Sequence, residues 1–298
     1  MQFINPQSDY AFKRLFGNEK KPNIVISFLN AAFAFTGTKM IKGVTFMDPY
    51  IRQVTKRQKM SIIDVKCTDL DGHKFIIEIQ VDRDKDFPER VQDYVASNII
   101  DQLEAGQDYE DLLPVYFLGV LNFNMIECSK EPVNSYRIVN IHQTDGRKIM
   151  VDDGLFRLSH WAFIELKKFN KTIEQCETLV DKWIYTLQNA ANMNEIPALF
   201  ELEKEIHEAF DLLNKGGMNA DELEQYRDSM RNMRAERSVI ATARDDGKAE
   251  GKAEGKAEGK AEGIAEAKIE LAKKMLKKMS PAEVAEVTGL SIEEIQKL

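Results

Sequence analysis

The segment MSIIDVKCTDLDGHKFIIEIQV, residues 60–81, constrains the fold more tightly than any other part of this 298-residue chain. Two strand-length apolar runs flank Asp71-Gly72. Such a dipeptide favours the tight turn that joins antiparallel strands, because the turn needs positive φ angles. The segment therefore reads as a β-hairpin. Side chains two apart on a strand share a face. Phe75, Ile77, Ile79 and Val81 then lie on one face, and Glu78 and Gln80 on the other. In the preceding strand Asp64 interrupts the apolar run between Ile63 and Val65, with Lys66 on its own face. Pairing across the turn at 70–73 brings the neighbourhood of Asp64 alongside that of Glu78, on strands ~4.8 Å apart.

The remainder of residues 1–145 supplies elements to cover this hairpin. Ser8 or Asp9 caps a helix with Phe12, Leu15 and Phe16 on one face, ended by Gly17-Asn18. A second helix is expected from Pro22 to Phe33, a strand over 41–47, and a helix from Pro88 to Ala105. LLPVYFLGVLNF, residues 112–123, is nearly all apolar and suits a strand buried on both faces. The order helix, helix, strand, strand, strand, helix, strand implies an α/β fold, a mixed sheet with helices against it.

Two carboxylates set into such apolar strands repel each other and are costly to desolvate. A divalent cation offsets both penalties. Hard oxygen donors select Mg²⁺, with Mn²⁺ as the next choice, and the backbone carbonyl of Ile79 is a third candidate ligand beside Asp64 and Glu78. The same pattern also fits a buried polar network or a sheet face open to water, and strand periodicity leaves the three readings side by side.

A formal net charge of -8 and a pI near 5.3 argue against a chain held on DNA by bulk charge alone. Cys67, Cys128 and Cys176 are odd in number and far apart, which suggests a reducing compartment. No apolar run is long enough for a membrane span and no signal-peptide pattern opens the chain, so a cytoplasmic location and no membrane partner are expected. His73, His142, His160 and His207 fit no zinc spacing, and neither GxxxxGK[ST] nor GxGxxG occurs.

HWAFIELKKFNK, residues 160–171, is expected to open a mainly helical region, with Phe163, Leu166, Phe169, Ile173, Leu179, Trp183 and Leu187 near helical spacing. Two further helices follow, broken at Gly216-Gly217. Residues 248–263 are four copies of KAEG, in which like charges meet at i,i+4 and each repeat carries a glycine. A marginal helix or flexible connector is expected there. Beyond it, Ser280-Pro281 and Ser291 with Glu294 cap two short helices in a helix-turn-helix-like tail. The expected divisions are 1–145, a core; 146–246, a helical extension; 247–265, the repeat; and 266–298, the tail.

Several stretches occur together in one order: NPQSDYAFKRLFG (5–17), FLNAAF (28–33), KMSIIDVKCTDLDG (59–72), FIIEIQ (75–80), FPERVQDYVA (87–96) and LPVYFLGVLNF (113–123). In these the chain resembles the PD-(D/E)XK nuclease family transposases, bacterial recombination-promoting nucleases, over about residues 1–240. The resemblance implies a restriction-endonuclease-like α/β fold. It also implies metal-dependent hydrolysis of DNA phosphodiesters, linked to recombination or mobile elements. By that resemblance Asp64 and Glu78 are the two motif acids that hold the metal, and Gln80 stands where the superfamily has lysine. Asp9 matches a recurrent acid near the metal, while Arg90 and Tyr94 share a helix face that contacts the DNA backbone or packs beside the acids. Glutamine orients water but is no base near neutral pH, so Lys66 or Lys59 is a candidate for the missing cation. Ile63 replaces the loosely kept motif proline. Cleavage of both strands makes a homodimer attractive. The alternative is a catalytically weak or inactive DNA-binding or assembly module with the same fold. An RNA-processing nuclease would use the same acids.

Overall fold

Strands β2 (Val65–Asp69) and β3 (Lys74–Gln80) pair antiparallel about the predicted turn, with Val65 opposite Ile77 and Cys67 opposite Phe75. Gly72 sits at φ +88°, where a Cβ would be strained and would also lie 2.6 Å from Leu113 Cδ1. Asp69 Oδ1 accepts the N–H groups of Asp71 and His73 at 3.0 and 2.9 Å, which closes the turn. The computed structural model describes residues 1–50, 63–103, 108–137, 140–144, 147–151 and 157–298.

The hairpin grows into a six-stranded mixed sheet in the order β1-β2-β3-β4-β8-β5. Strand β1 (Val44–Phe46) extends it at one edge. Strand β4 (Val115–Leu121) runs parallel to β3 and to β8 (Ser159–Glu165), and β5 (Val133–Arg137) closes the far edge antiparallel to β8. Strands β6 (Asn140–Thr144) and β7 (Arg147–Val151) form a separate hairpin. The mixed sheet with helices against it is the fold class expected from the element order.

One element departs from expectation. Residues 160–165 were to open a helical region, yet they lie in β8, a central strand. Ala162 and Ile164 enter one core and Phe163 the other. A short apolar run satisfies either period; here the open edge of β4 supplies the hydrogen bonds that decide it. The sheet thus draws strands from both sides of residue 145, and the first compact unit runs Met1–Met233.

Helices α1 (Asp9–Phe16), α2 (Pro22–Ala32), α4 (Leu179–Asn189) and α5 (Lys204–Leu213) share a core with Val65, Cys67, Phe75, Ile77 and Ile79 on one sheet face. Phe16 stacks on Phe28 at 4.5 Å, Trp183 meets Phe28 edge-on at 5.6 Å, and the indole N–H donates to Ser27 Oγ at 3.1 Å. A buried indole needs such a partner. Helix α3 (Phe87–Ile100) covers the other face, packing Phe87, Val91, Tyr94 and Val95 against Ile76, Val115 and Phe117. Lys66, Glu78 and Gln80 project on this second side, as alternation requires.

Helix α6 runs Ala220–Met275 as one element, so the KAEG repeat is helical rather than a connector. Residues 248–260 are exposed, and a Cβ at Gly251, Gly255 or Gly259 would meet nothing within 4 Å. Helix on both sides removes the nucleation cost, which lets a weak repeat propagate. In the second unit, Arg234–Leu298, helices α7 (Pro281–Thr288) and α8 (Ile292–Gln296) gather around Ala272, Val284 and Ile295. Ser280 and Ser291 cap them with Glu283 and Glu294. Among the described residues no helix is long and apolar enough to cross a membrane.

Candidate active site

The β2–β3 register places Asp64, one residue before β2, opposite Glu78. Each acid accepts a backbone N–H from the other strand: Asp64 N–H donates to Glu78 Oε1 at 3.2 Å, and Ile79 N–H donates to Asp64 Oδ2 at 2.9 Å. The N–H and C=O of a strand residue point to the same edge, so the Ile79 carbonyl also faces the Asp64 side. Gln80 Nε2 reaches Glu78 Oε2 at 3.4 Å. The pair sits at the carboxyl end of β3, next to β4. Gly119 lies in register with Glu78 on β4, and a Cβ there would come within 2.9 Å of the Phe163 ring. The glycine lets that ring close over the strand and helps exclude water.

Burial governs the electrostatics. Glu78 is 4 % exposed, and its carboxyl is pushed up to about 8, first by desolvation and then by the charge of Asp64. The Asp64 N–H, Arg90 and Gln80 pull in the opposite direction. Asp64 is raised to about 6, first by burial and also by Asp9, against the Ile79 N–H and Lys13. Burial is thus the main reason Glu78 keeps its proton, and the charge of Asp64 adds to it.

Helix α1 brings a residue that the sequence reading missed. Ser8 caps it, accepting Ala11 N–H at 3.3 Å, and this aims the first turns at the sheet. Lys13 Nζ then lies 2.7 Å from Asp9 Oδ1 and 3.5 Å from Asp64 Oδ1. Asp9 is thus joined to the site through Lys13. The i,i+4 spacing of Asp9 and Lys13 in SDYAFK was the available signal, but nothing local ties that helix to Asp64. Helix α1 is in turn held by the start of α6: Tyr10 N–H donates to Ser229 Oγ at 3.2 Å and Arg14 pairs with Glu222.

The supporting residues divide. Arg90 Nη1 binds Asp84 Oδ2 at 2.5 Å, its guanidinium lies 5.5 Å from the Phe87 ring, and it acts on Glu78 electrostatically. Tyr94, 3 % exposed, is packed in the α3 core. Lys66 is 6 % exposed on the face of Asp64, paired in register with Ile76 rather than Glu78. Lys59 lies outside the described residues.

A second cluster was not anticipated. Asp69, Asp71 and His73 place ligand atoms within 4.8 Å of one another, and His73 Nδ1 is 2.8 Å from Asp69 Oδ2. They sit at the turn, the far end of the hairpin from Asp64 and Glu78, five strand residues or ~17 Å away. Both Asp69 oxygens are already used by turn hydrogen bonds.

The Asp64–Glu78 pair fits a hard divalent cation better. Asp64 Oδ1 and Glu78 Oε2 keep lone pairs beyond the two strand hydrogen bonds, with Lys13 at 3.5 Å from the first and Gln80 at 3.4 Å from the second. Two carboxyls whose charge is disfavoured by burial are the groups that a cation most relieves. A family model described as "PD-(D/E)XK nuclease family transposase" matches residues 6–243 of the chain, and the mixed sheet flanked by helices fits the restriction-endonuclease-like fold. Neither a curated protein nor a solved structure gives a match.

Proposed function

This chain belongs to the PD-(D/E)XK nuclease family transposases, and from that premise we propose that it is a Mg²⁺-dependent DNA endonuclease, acting in recombination or mobile-element movement. The observation that carries the reading is the buried Asp64–Glu78 pair, each acid oriented by a backbone N–H of the other's strand. Asp64, Glu78 and the Ile79 carbonyl would hold the cation. When bound, it supplies a Lewis acid that polarises a phosphoryl oxygen and eases deprotonation of water.

The chain's own residues do the rest. Glu78 and Asp64 must both be ionised to act, which favours neutral to alkaline pH. Gln80 orients a water by hydrogen bonds, since its amide both donates and accepts. Lys13 puts a positive charge beside Asp64. Arg90 adds positive charge toward Glu78 and the approaching phosphate. Cutting both strands needs two such centres or two successive nicks, so a homodimer is part of the proposal.

Plasmid nicking in Mg²⁺ or Mn²⁺ tests this. Asp64→Asn and Glu78→Gln should each abolish cleavage while circular dichroism stays native; cleavage that survives both changes refutes the assignment. A second reading, a DNA-binding module without catalysis, draws on one observation: Lys13 already neutralises Asp64 without any cation. It predicts duplex retention with no nicking by the unaltered chain.

A further inference from the structure

A cavity of about 1020 Å³ in the first unit does not contain the acidic pair. It opens at the turn end of the β2–β3 hairpin and on the opposite sheet face. Its floor is an aromatic ladder that the strand register builds. Phe75, Tyr116 and His160 occupy one row across β3, β4 and β8. Their rings stack face to face, Phe75 on Tyr116 at 4.9 Å and Tyr116 on His160 at 4.5 Å, with interplanar angles of 12° and 10°. Phe33 and Phe35 stack on each other at 5.4 Å and meet Tyr116 edge-on at 5.3 and 5.5 Å.

The wall that carries Phe33 and Phe35 is strained and braced. Ala34 between them is in the left-handed region at φ 53°, the one non-glycine there among the described residues. Such conformations cost free energy and persist where surrounding structure imposes them. Just beyond, Asn30 clasps Ile41 through two hydrogen bonds, Ile41 N–H to Asn30 Oδ1 at 2.8 Å and Asn30 Nδ2 to Ile41 O at 3.1 Å. This clasp fixes the strip that presents Lys39 and Lys42 on the rim. Both lysines are exposed, and neither makes an ion pair with a described residue. The acids on the opposite rim are Asp69, occupied by turn N–H groups and His73, and exposed Asp71.

The half-buried rings of Phe33, Phe35, Tyr116 and His160 beside two exposed lysines match one ligand chemistry: a planar base bearing an anionic phosphate. The volume is ample for one nucleotide, and the lining combines aromatic rings with a comparable share of polar and charged side chains. We propose that this cavity is a nucleotide-binding site separate from the acidic pair, with the base against the rings and the phosphate at Lys39 and Lys42. The site does not depend on the nuclease reading.

The test is calorimetric titration of the full chain in EDTA, where nothing is cleaved and Asp69–Asp71–His73 cannot recruit a cation. The ligands are dAMP, deoxyadenosine and a short 5′-phosphorylated single strand. Saturable 1:1 binding of dAMP, stronger than that of deoxyadenosine, is expected. Phe35→Ala should weaken every ligand roughly five- to a hundred-fold, the range for loss of a base–aromatic stack. The exposed double change Lys39→Glu with Lys42→Glu should bring dAMP down to the level of deoxyadenosine. Tighter binding of the strand identifies a strand end as the source; equal or weaker binding identifies the free nucleotide. Absence of saturable binding by unaltered protein at millimolar ligand overturns the proposal, as does binding that both variants leave unchanged.

Discussion

Glu78→Gln in EDTA should make the protein more stable while abolishing the proposed activity. The Glu78 carboxyl is 4 % exposed and holds its proton to about 8, against an ordinary 4.5. Below pH 4.5 the folded and unfolded chains both carry that proton and nothing is lost. Between 4.5 and about 8 the unfolded chain releases it while the folded chain does not, so stability falls as pH rises. Above that the carboxylate is ionised in both states and the deficit levels off. At ~1.4 kcal/mol per pH unit the deficit reaches ~3 kcal/mol at pH 7. Glutamine has nearly the same shape, its Oε1 still accepts the Asp64 N–H, and it carries no charge to desolvate. The variant should therefore gain ~3 kcal/mol at pH 7 and almost nothing near pH 4.5. The window of Asp64, from 3.8 to about 6, is present in both chains and largely cancels. Urea unfolding followed by fluorescence of Trp183, fully buried in the first unit, reads this out. For a unit of this size the midpoint should rise by ~1 M at neutral pH. Divalent metal at ~1,000 times its Kd should then reverse the order, since it adds ~4.1 kcal/mol to the unaltered chain only. A variant no more stable than the parent at neutral pH in EDTA refutes the claim that Glu78 is buried at a cost which a cation relieves.

Other changes probe neighbouring parts. Lys13→Met removes the cation that competes for Asp64, so Mn²⁺ should bind several-fold more tightly by calorimetry even as nicking slows. Gln80→Ala should slow nicking by ~10-fold or more through loss of water orientation, with metal affinity nearly unchanged. Gly72→Ala forces a left-handed alanine against Leu113 and should cost at least ~1–2 kcal/mol in urea unfolding. Gly119→Ala drives a methyl into the Phe163 ring and should cost ~1–3 kcal/mol by the same measurement.

The acidic pair was legible because a hairpin turn fixes register. Once Asp71-Gly72 is placed, antiparallel pairing brings the neighbourhood of Asp64 alongside that of Glu78, and alternation sends Gln80 to the same side as Glu78; the three-residue loop 70–72 then sets the register that puts Asp64 opposite Glu78. The first two helices were equally legible, since Ser8, Gly17 and Pro22 act within a turn of their own backbone. Strand β8 was not. WAFIEL has an apolar run short enough for either period, and only the vacant edge of β4 selects the strand. The KAEG repeat left a marginal helix and a connector both open: its local balance is near neutral, and the helix on either side decides it.

The sequence by itself therefore determined the hairpin and the approach of its two acids, because turn chemistry and strand alternation act over a few residues. Tertiary structure alone decided that Lys13 enters the acidic site, since α1 and the hairpin are separated by some fifty residues whose path no local rule specifies. It decided that Phe75, Tyr116 and His160 form one stack, because three strands had to come into register first. It also decided the protonation of Glu78: a carboxyl on a strand is an ordinary acid until helices and a neighbouring sheet remove its water.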